Sequence, residues 1–385
     1  MIKVGIIGCG KQADEHVSLL QRMQDCEIVG VCDTEELMAK QLYQRFKIKG
    51  FYNNPKKMIE IARPDVIHII TPPHSHLELG EICMKGGCHV LFEKPFTLNL
   101  AEAIKVIDIA KQTDRKLTVG HNNQFSHMAI TMRQLIANGY LGGDPVHMES
   151  MWGYDLSDKK FAAALMGDST HWIRKLPGKL LHNIISHGIA RIAEYISKET
   201  QRVTVRGFTS NYLKNQGDGG IIDEVRVIIE DDLQRTAYFT FSTQIRPMIR
   251  QFRIFGPKRS LLLDDMHHSL VEVCSTDYKS YLNDFVPPAV YAKRYLSNSF
   301  GNMARFLKRN AHFDSGRKIL VESFYESITK NTPVPIPYEE IILTSRIMDE
   351  IFAQLERPDN RGVFASTSVN CSVTAKISSE IKNPQ

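Results

Sequence analysis

The stretch Gly8-Cys9-Gly10-Lys11-Gln12-Ala13 decides the fold, because it follows a short apolar run at residues 3–7 and precedes a helical pattern. Its spacing is the G-x-G-x-x-A form of a dinucleotide-binding turn. Gly8 permits the tight bend, Gly10 lets the backbone approach a pyrophosphate, and Ala13 lets helix and strand pack closely. The N-terminus of the helix, with Lys11 and Gln12, then faces the phosphates.

An acidic residue completes this pattern. Asp33 ends the second predicted strand, about 20 residues beyond the glycines, where a carboxylate can accept both ribose hydroxyls of an adenosine. It would repel a 2′-phosphate, and Glu35 and Glu36 add to that repulsion. The predicted cofactor is therefore NAD rather than NADP. The alternative is a glycine turn followed by an aspartate that caps the next helix.

The chain changes its pattern near residue 123. Before that point, apolar strands alternate with helices, which predicts a doubly wound parallel sheet covered on both faces, a Rossmann fold. After it, one helix is followed by successive strands without intervening helices, which predicts an α+β part with an open, mostly antiparallel sheet. The predicted strands lie at 3–7, 27–32, 65–70, 89–92, 116–120, 202–212, 225–230, 236–243, 252–255 and 270–273, and the later helices at 128–138, 180–197, 316–329 and 339–354.

Composition excludes several classes of protein. The 385 residues predict two domains, and 43 % apolar with 24 % charged residues is a globular balance. The formal charge of +5 is too small to indicate nucleic acid, and no apolar run reaches the ~18 residues of a membrane span. The seven cysteines form no C-x-x-C and no zinc spacing, so we expect reduced thiols and no metal. The strand-like N-terminus leaves no room for a signal peptide, so a cytoplasmic protein without a membrane partner is expected.

Two more motifs follow the third and fourth strands, at the sheet edge where ligands bind in such folds. They are Thr71-Pro72-Pro73-His74-Ser75-His76 and Glu93-Lys94-Pro95. An amine directly after an apolar strand is partly desolvated, which lowers its pKa towards the range useful for proton transfer. Lys94 is therefore a candidate general base, and Pro95 could fix the backbone there with a cis bond. The alternative is a surface Glu–Lys pair before a loop.

The combination of these motifs with Val119-Gly120-His121-Asn122 resembles the Gfo/Idh/MocA oxidoreductases, the family of glucose–fructose oxidoreductase and inositol dehydrogenase. The resemblance implies an NAD-binding Rossmann domain at 1–123 and a substrate and oligomerisation domain at 124–357. The tail at 358–385 lies outside the resemblance, and its content of serine, threonine and lysine predicts a flexible segment, with an edge strand as the alternative. It also implies a homodimer or homotetramer.

The resemblance further implies roles for individual residues. Lys94 matches the catalytic or substrate-orienting lysine of the family, and Glu93 matches an acid beside the nicotinamide half of NAD. Asn122 matches a position near nicotinamide and substrate. The loop that lines the cofactor is matched by Thr71, Pro72, Pro73 and His76.

A second candidate position lies on the helix predicted at 180–197. Asn183 and His187 are four residues apart and share a face, about 40° from each other, whereas His182 points elsewhere. The resemblance makes His187 the candidate acid or base, with Asn183 where many members have aspartate. Because asparagine supplies no charge, we expect His187 to be largely neutral and Lys94 to carry more of the proton transfer. The alternative is a packed core histidine.

The predicted reaction is reversible, NAD-dependent oxidation of a secondary alcohol of a sugar, cyclitol or sugar derivative. A basic cluster that includes Trp172 and Arg174 hints at an anionic substrate such as a nucleotide sugar, with Trp172 stacked on a sugar face. A solvated basic loop is the alternative to that interpretation. Two other functions stay open, an NAD-dependent glycosidase and a non-catalytic NAD-binding regulator.

Overall fold

A computed structural model describes residues 1–156, 171–274, 278–308 and 316–357. Its N-terminal part is a six-stranded sheet in which every strand pair is parallel, and this confirms the expected doubly wound sheet. The strands are β1 (Ile2–Ile7), β2 (Cys26–Cys32), β3 (Phe51–Tyr52), β4 (Val66–Ile69), β5 (His89–Phe92) and β6 (Leu117–Val119). Their order is β3-β2-β1-β4-β5-β6. Strands β2 and β3 are added on one side of β1 and the next three strands on the other, so the direction of winding switches between β1 and β4. A crevice opens at such a switch point, and ligands bind there.

Helices cover both faces of this sheet. They are α1 (Lys11–Leu20), α2 (Glu36–Phe46), α3 (Pro55–Ala62), α4 (His76–Lys85) and α5 (Leu100–Gln112). Helix α6 (His127–Ala137) instead joins the core of the second sheet, through Met128, Ala129 and Met132. The helix α3 was not predicted, although its start is well marked. The Asn54 side chain accepts hydrogen bonds from two backbone amides of the first turn, and proline occupies the first helical position.

The second sheet has seven strands in the order β13-β12-β11-β7-β10-β9-β8, and only the pair β7 and β10 is parallel. The expected open, mostly antiparallel sheet is confirmed. Two of its strands, β7 and β12, were not predicted. The strands are β7 (His147–Gly153), β8 (Gln201–Phe208), β9 (Glu224–Asp231), β10 (Thr236–Ser242), β11 (Arg250–Phe255), β12 (Arg259–Asp264) and β13 (Ser269–Cys274).

The helix predicted at 180–197 is two helices, α7 (Leu180–Ile184) and α8 (Ser186–Ala193), and the prediction of one continuous helix is wrong. The turn tightens where the amide of Gly188 donates to the carbonyl of Ile185, 3.0 Å away. Gly188 lies against the sheet, and a Cβ there would come within 2.5 Å of the Phe239 ring. This close approach is a tertiary contact, which the periodicity of the segment does not reveal.

The later helices are α9 (Asn211–Asn215), α10 (Val286–Leu307), α11 (Arg317–Thr329) and α12 (Tyr338–Glu356). Helix α11 returns to the N-terminal sheet, where Val321, Phe324 and Tyr325 join the core under β1 and β2. The division at residue 123 stays a prediction, with the addition that α11 and the start of α12 both pack on the first domain. The predicted tail, 358–385, lies outside the described residues. None of the helices in the described ranges combines the length and apolarity needed to cross a bilayer.

Candidate functional site

The glycine turn lies at the carboxyl end of β1, beside the end of β4. Gly8 has φ +98°, and a Cβ there would come within 2.9 Å of the carbonyl carbon of Ile70, so a side chain at this position would be strained. A Cβ on Gly10 would meet no heavy atom within 4 Å among the described residues. Gly10 also caps α1 without a side-chain hydrogen bond, which leaves the first amides of the helix for an anion. These features fit the pyrophosphate of a dinucleotide.

Asp33 lies where β2 ends and ties the turn together. Its carboxylate accepts from the amide of Cys9 at 2.7 Å and from the amide of Glu35 at 3.0 Å, one bond on each oxygen. Each carboxylate oxygen retains a further lone pair, so both can still accept from ribose hydroxyls. The exposed side chains of Lys11 and Gln12 lie at the start of α1, and the Gln12 side chain contacts Arg317.

The loop after β4 is held from within. Thr71 and Ser75 share a hydrogen bond between their hydroxyls, 2.7 Å apart, and Pro73 is buried while Pro72 is half-buried. His76 is buried and contacts two backbone carbonyls, Thr71 O at 2.8 Å and Phe96 O at 2.7 Å. It therefore joins this loop to the segment after Lys94. The cofactor role predicted for these residues stays a prediction, but they all border the same crevice end of the sheet.

Lys94 spans the gap between the two domains. It follows β5, its bond to Pro95 is cis as expected, and its Nζ donates to the carbonyl of Asn183 at 3.1 Å. Burial lowers the pKa of Lys94, the charge of Glu93 opposes this shift, and the charges of Arg317 and Arg250 add to it. The amine is thus a group whose proton is more easily lost than that of a surface lysine.

Glu93 points away from this amine into a buried hydrogen-bonded chain. Its carboxylate lies 2.9 Å from Nε2 of His16, and Nδ1 of His16 lies 3.0 Å from Nδ1 of His68. Nε2 of His68 lies 2.9 Å from the Tyr325 hydroxyl on α11. Burial holds the pKa of His68 well below its usual value, so the neutral ring donates from one nitrogen and accepts at the other.

The chain of hydrogen bonds keeps Glu93 ionised. Burial by itself would raise the pKa of this carboxyl, but the hydrogen bond and charge of His16, together with Arg317 and Lys94, hold the pKa well below its usual range. The amide of Lys94 also donates to the other carboxylate oxygen, 3.0 Å away. Glu93 is therefore a buried anion that is fixed beside the backbone of Lys94.

His187 lies on α8, half-buried, in an aromatic and basic environment. Its ring stacks on Trp152 of β7 at 5.7 Å with an interplanar angle of 14°, and the ring of His121 lies 6.1 Å away. Burial, and then the charge of Lys94, hold the pKa of His187 well below its usual value, so the ring is neutral near pH 7. Its Nδ1 is buried and has no hydrogen-bond partner among the described residues.

Arg250 of β11 pairs with Trp152 of β7 across the sheet, with its guanidinium 5.1 Å from the centre of the Trp152 ring. Burial lowers the pKa of Arg250, and its Nε has no hydrogen-bond partner among the described residues. A buried, unsatisfied donor beside a lysine and a neutral histidine is a group that a bound hydroxyl or carbonyl could satisfy.

The positions of the remaining predicted residues give less direct support to their predicted roles. Asn122 is half-buried on the short turn Asn122–Phe125, and its carbonyl lies so close to Gly316 that any Cβ there would overlap it. Trp172 is half-buried and packs on the second core rather than projecting freely. Arg174 donates twice to the carboxylate of Asp218, at 2.9 and 3.2 Å, so its guanidinium is engaged in an ion pair. Its substrate role stays a prediction.

Several residues at this site were not predicted from the sequence. They are His16, His68, Trp152, Arg250, Arg317 and Tyr325. His121 stood inside a quoted motif and could have been singled out, since it is buried with a pKa lowered to about 4 by burial and the charge of Lys94. The others come from distant parts of the chain, and only their proximity in the fold shows that they belong together. Among the described residues no group of three or more His, Cys, Asp or Glu side chains could hold a metal ion.

Known proteins share both the motif and the fold. Residues 2–121 match the Gfo/Idh/MocA family model, described as an oxidoreductase family with an NAD-binding Rossmann fold. The chain is 30 % identical over 142 residues to D-glucoside 3-dehydrogenase of Escherichia coli K12, a match that covers 37 % of this chain and 40 % of that protein. It is 27 % identical over 141 residues to myo-inositol 2-dehydrogenase of Thermotoga maritima, covering 37 % and 42 %. The chain thus matches only about two fifths of the length of these relatives.

A solved structure is similar over nearly the whole chain. UDP-N-acetylglucosamine 3-dehydrogenase from Acidithiobacillus ferrooxidans superposes with a TM-score of 0.67 at 17 % identity, covering 91 % of this chain and 97 % of that one. At this identity the likeness shows the fold alone. Together with the family match and the glycine cradle, it shows that the first 121 residues form an NAD-binding Rossmann domain.

Proposed function

We propose that the chain, whose residues 2–121 match the Gfo/Idh/MocA oxidoreductase family, is an NAD-dependent dehydrogenase that reversibly oxidises a secondary ring alcohol of a sugar, cyclitol or sugar derivative. The observation that carries the proposal is the amine of Lys94, held 3.1 Å from the carbonyl of Asn183 at the crevice between the domains. The names of the similar proteins support a ring alcohol, since they specify oxidation of a glucoside, an inositol and a sugar nucleotide.

NAD, when bound, supplies the acceptor for the hydrogen and electron pair that leave the carbon. Gly8, Gly10 and the first turn of α1 would hold its phosphates, and Asp33 its adenosine ribose. The half-buried loop residues Thr71 and Pro72 would line the same crevice.

Lys94 removes the hydroxyl proton of the substrate. An amine must be neutral to accept a proton, and burial lowers its pKa towards this state. The carbonyl of Asn183 accepts one N–H and so directs the nitrogen towards the crevice. Once the amine is protonated, the negative charge of the fixed Glu93 carboxylate stabilises the ammonium.

His187 orients the reacting hydroxyl. The ring is neutral near pH 7, so it offers one donor and one acceptor rather than a charge. Stacking on Trp152 fixes the plane of the ring, and its Nδ1 has no other hydrogen-bond partner among the described residues. Asn122, Asn183 and Trp172 are the proposed substrate contacts around it.

The charge near the site favours a substrate that is mainly a polyol. Arg174 is paired with Asp218, and Arg191 is buried against Asp265 at 3.1 Å. Because both guanidinium groups are already neutralised by a carboxylate, these two arginines give little support to an anionic substrate. A nucleotide sugar stays within the proposal as a bulkier alternative.

Self-association is part of the proposal. Phe208, Ile228 and Tyr238 are exposed on neighbouring strands of the second sheet, and Ile228 pairs directly with Tyr238. An apolar patch of this kind supports a homodimer or homotetramer formed through the open sheet face. We also propose a cytoplasmic location for the protein.

The test is a panel of neutral sugars, cyclitols, sugar phosphates and sugar nucleotides, each incubated with NAD and followed by NADH absorbance and by mass spectrometry of the products. We expect a ketone product with stoichiometric NADH from at least one neutral ring alcohol. Release of free sugar without NADH would instead identify a glycosidase. Tight NAD binding with no product from any compound, unchanged by Lys94→Ala, would identify a regulator.

A further inference from the structure

The long helix α10 packs on the protein through polar side chains. Asn298 bridges the edge strand β13, since its Oδ1 accepts from the amide of Leu270 at 3.2 Å and its Nδ2 donates to the same residue's carbonyl at 3.0 Å. One turn earlier, Arg294 donates to Glu272 of the same strand at 2.5 Å. The inward side of the helix is thus a row of hydrogen bonds and one ion pair.

The same helix presents its apolar side chains to solvent. They are Tyr295, Leu296, Phe300, Met303, Phe306 and Leu307, each more than half exposed, with Leu307 at 74 %. At about 100° per residue, Leu296, Phe300, Met303 and Leu307 lie on one continuous stripe roughly opposite the row that contacts β13, while Tyr295 and Phe306 lie beside that row. No residue of α10 is buried.

This arrangement is the reverse of an ordinary surface helix, which buries its apolar stripe and exposes its polar side. A contiguous apolar stripe about three turns long is costly in water and marks a surface that contacts something apolar. Because the polar side is already used against β13, the helix cannot turn over to bury the stripe on its own domain.

Charge decides between the surfaces that could cover it. Residues 286–308 contain no aspartate or glutamate. Lys293 and Lys308 are exposed on this helix and at its end, while Lys279 and Asp284, both exposed and opposite in charge, precede it. Two copies of the helix packed together would bring like charges together with no acid on the helix to balance them. An anionic lipid surface would instead attract each lysine while it takes up the apolar stripe.

We propose that α10 lies in the plane of an anionic lipid bilayer and attaches the protein reversibly to the membrane surface. Aromatic and aliphatic residues on one side with basic residues at the border are the composition of interfacial helices. The lysine stems reach past the apolar stripe so that their ammonium groups meet the headgroups. The proposal departs from the expectation of no membrane partner, which rested on the lack of a spanning segment and does not address surface binding.

Co-sedimentation of the full chain with vesicles tests the proposal. One set of vesicles contains phosphatidylglycerol and phosphatidylcholine, and the other phosphatidylcholine alone. The test variant is Leu296→Asn with Phe300→Asn, and the matched control is Ile61→Asn with Leu233→Asn, which removes two equally exposed apolar side chains elsewhere. A second variant, Lys293→Gln with Lys308→Gln, changes only exposed charges and keeps the test valid if the apolar variant does not fold.

We expect binding to the anionic vesicles that weakens roughly tenfold or more in the α10 apolar variant and not in the control. The lysine variant and added salt should weaken binding to anionic vesicles alone, because screening acts on the charge contribution. Absence of binding to anionic vesicles by the unaltered chain would overturn the proposal, as would equal loss in the control. Conversion of an oligomer to a smaller species by the α10 variant, without vesicle binding, would show that a second copy covers the stripe. NAD binding is measured throughout, and its loss would concern the proposed dehydrogenase rather than this surface.

Discussion

His16 and Glu93 form a buried pair in which the imidazole Nε2 lies 2.9 Å from the carboxylate, although His16 lies on α1 and Glu93 follows β5, 77 residues later. The pair connects α1, the helix that follows the glycine turn, with the Glu93-Lys94-Pro95 motif, which supplies the proposed base. A carboxylate fixed in this way determines the charge behind Lys94, so the pair connects the stability of the fold with the chemistry of the site.

Replacing His16 by alanine should destabilise the protein by about 3 kcal/mol, because it leaves a buried carboxylate without its main partner. Denaturant unfolding measures this change. The matched control is Asp14→Ala on the same helix, which breaks an exposed ion pair with Arg45 and should cost less than about 1 kcal/mol. A loss for His16→Ala no greater than that of the control would show that the pair does not hold Glu93.

Tyr325→Phe should remove the far end of the same hydrogen-bonded chain at a cost of about 1–2 kcal/mol, because Nε2 of the buried His68 then loses its partner. Unfolding of this variant is compared with that of Tyr212→Phe, which alters a partly exposed ring. The two variants should differ by most of this amount. Equal stabilities would mean that the Tyr325 hydroxyl contributes nothing to the chain.

Stability should fall as the pH drops from about 6.5 towards 4, in part because of His182. Burial lowers the pKa of this ring from 6.5 to about 4, although its hydrogen bond to the carbonyl of Thr97 opposes the shift. The unfolded chain therefore binds more protons than the folded one in this window, and acid favours unfolding. His182 should account for about 2 kcal/mol of the loss between pH 7 and pH 5.

The variant His182→Phe tests this assignment, since a phenyl ring can retain the stacking on Phe352 but cannot titrate. Unfolding is measured at both pH values for this variant, for the unaltered chain and for His127→Gln, which changes an exposed histidine. The pH dependence should shrink only in His182→Phe. An identical slope in all three proteins would contradict a neutral buried His182.

Asp33→Ala should weaken NAD binding about 30-fold, since it removes a charged acceptor worth about 2 kcal/mol, and it should abolish the preference over NADP. Fluorescence titration with both dinucleotides measures the two affinities. The control is Glu60→Ala, an exposed acid on α3 that should change either affinity only slightly. Equal affinity of the unaltered protein for NAD and NADP would contradict the role of Asp33.

Asn183→Asp should raise the pKa of both Lys94 and His187, because it adds a carboxylate next to the carbonyl that binds the amine. The acid limb of the pH–rate profile should move to higher pH. Asn183→Ala, which leaves the backbone carbonyl in place, should not move the limb. If Asp and Ala variants give the same profile, neither neighbouring group titrates in the reaction.

The sequence predicts the parts of this structure that depend on local patterns. Five apolar runs predict the parallel strands, and the glycines with Asp33 predict the cradle, because a turn, a strand end and a helix start are set by adjacent residues. The parallel sheet also places Lys94 at the crevice, since carboxyl ends of parallel strands share one edge.

The rest depends on contacts between distant residues. Trp152 and Arg250 lie on β7 and β11, and neighbouring strands bring them to His187 without any shared motif. Arg317 and Tyr325 reach the N-terminal core only because α11 folds back onto it. The helix α10 was not predicted either, and none of its residues is buried.

The measurement that tests the central claim most directly is steady-state turnover of Lys94→Ala and Lys94→Arg with the fastest ring alcohol of the panel, alongside their NAD affinities. Arginine keeps the positive charge but cannot act as a base. The account predicts that both variants lose turnover by about 10²–10⁴-fold while NAD affinity changes less than roughly threefold. Near-normal turnover in either variant, or a loss fully explained by weaker NAD binding, would contradict the assignment of Lys94 as the proton acceptor.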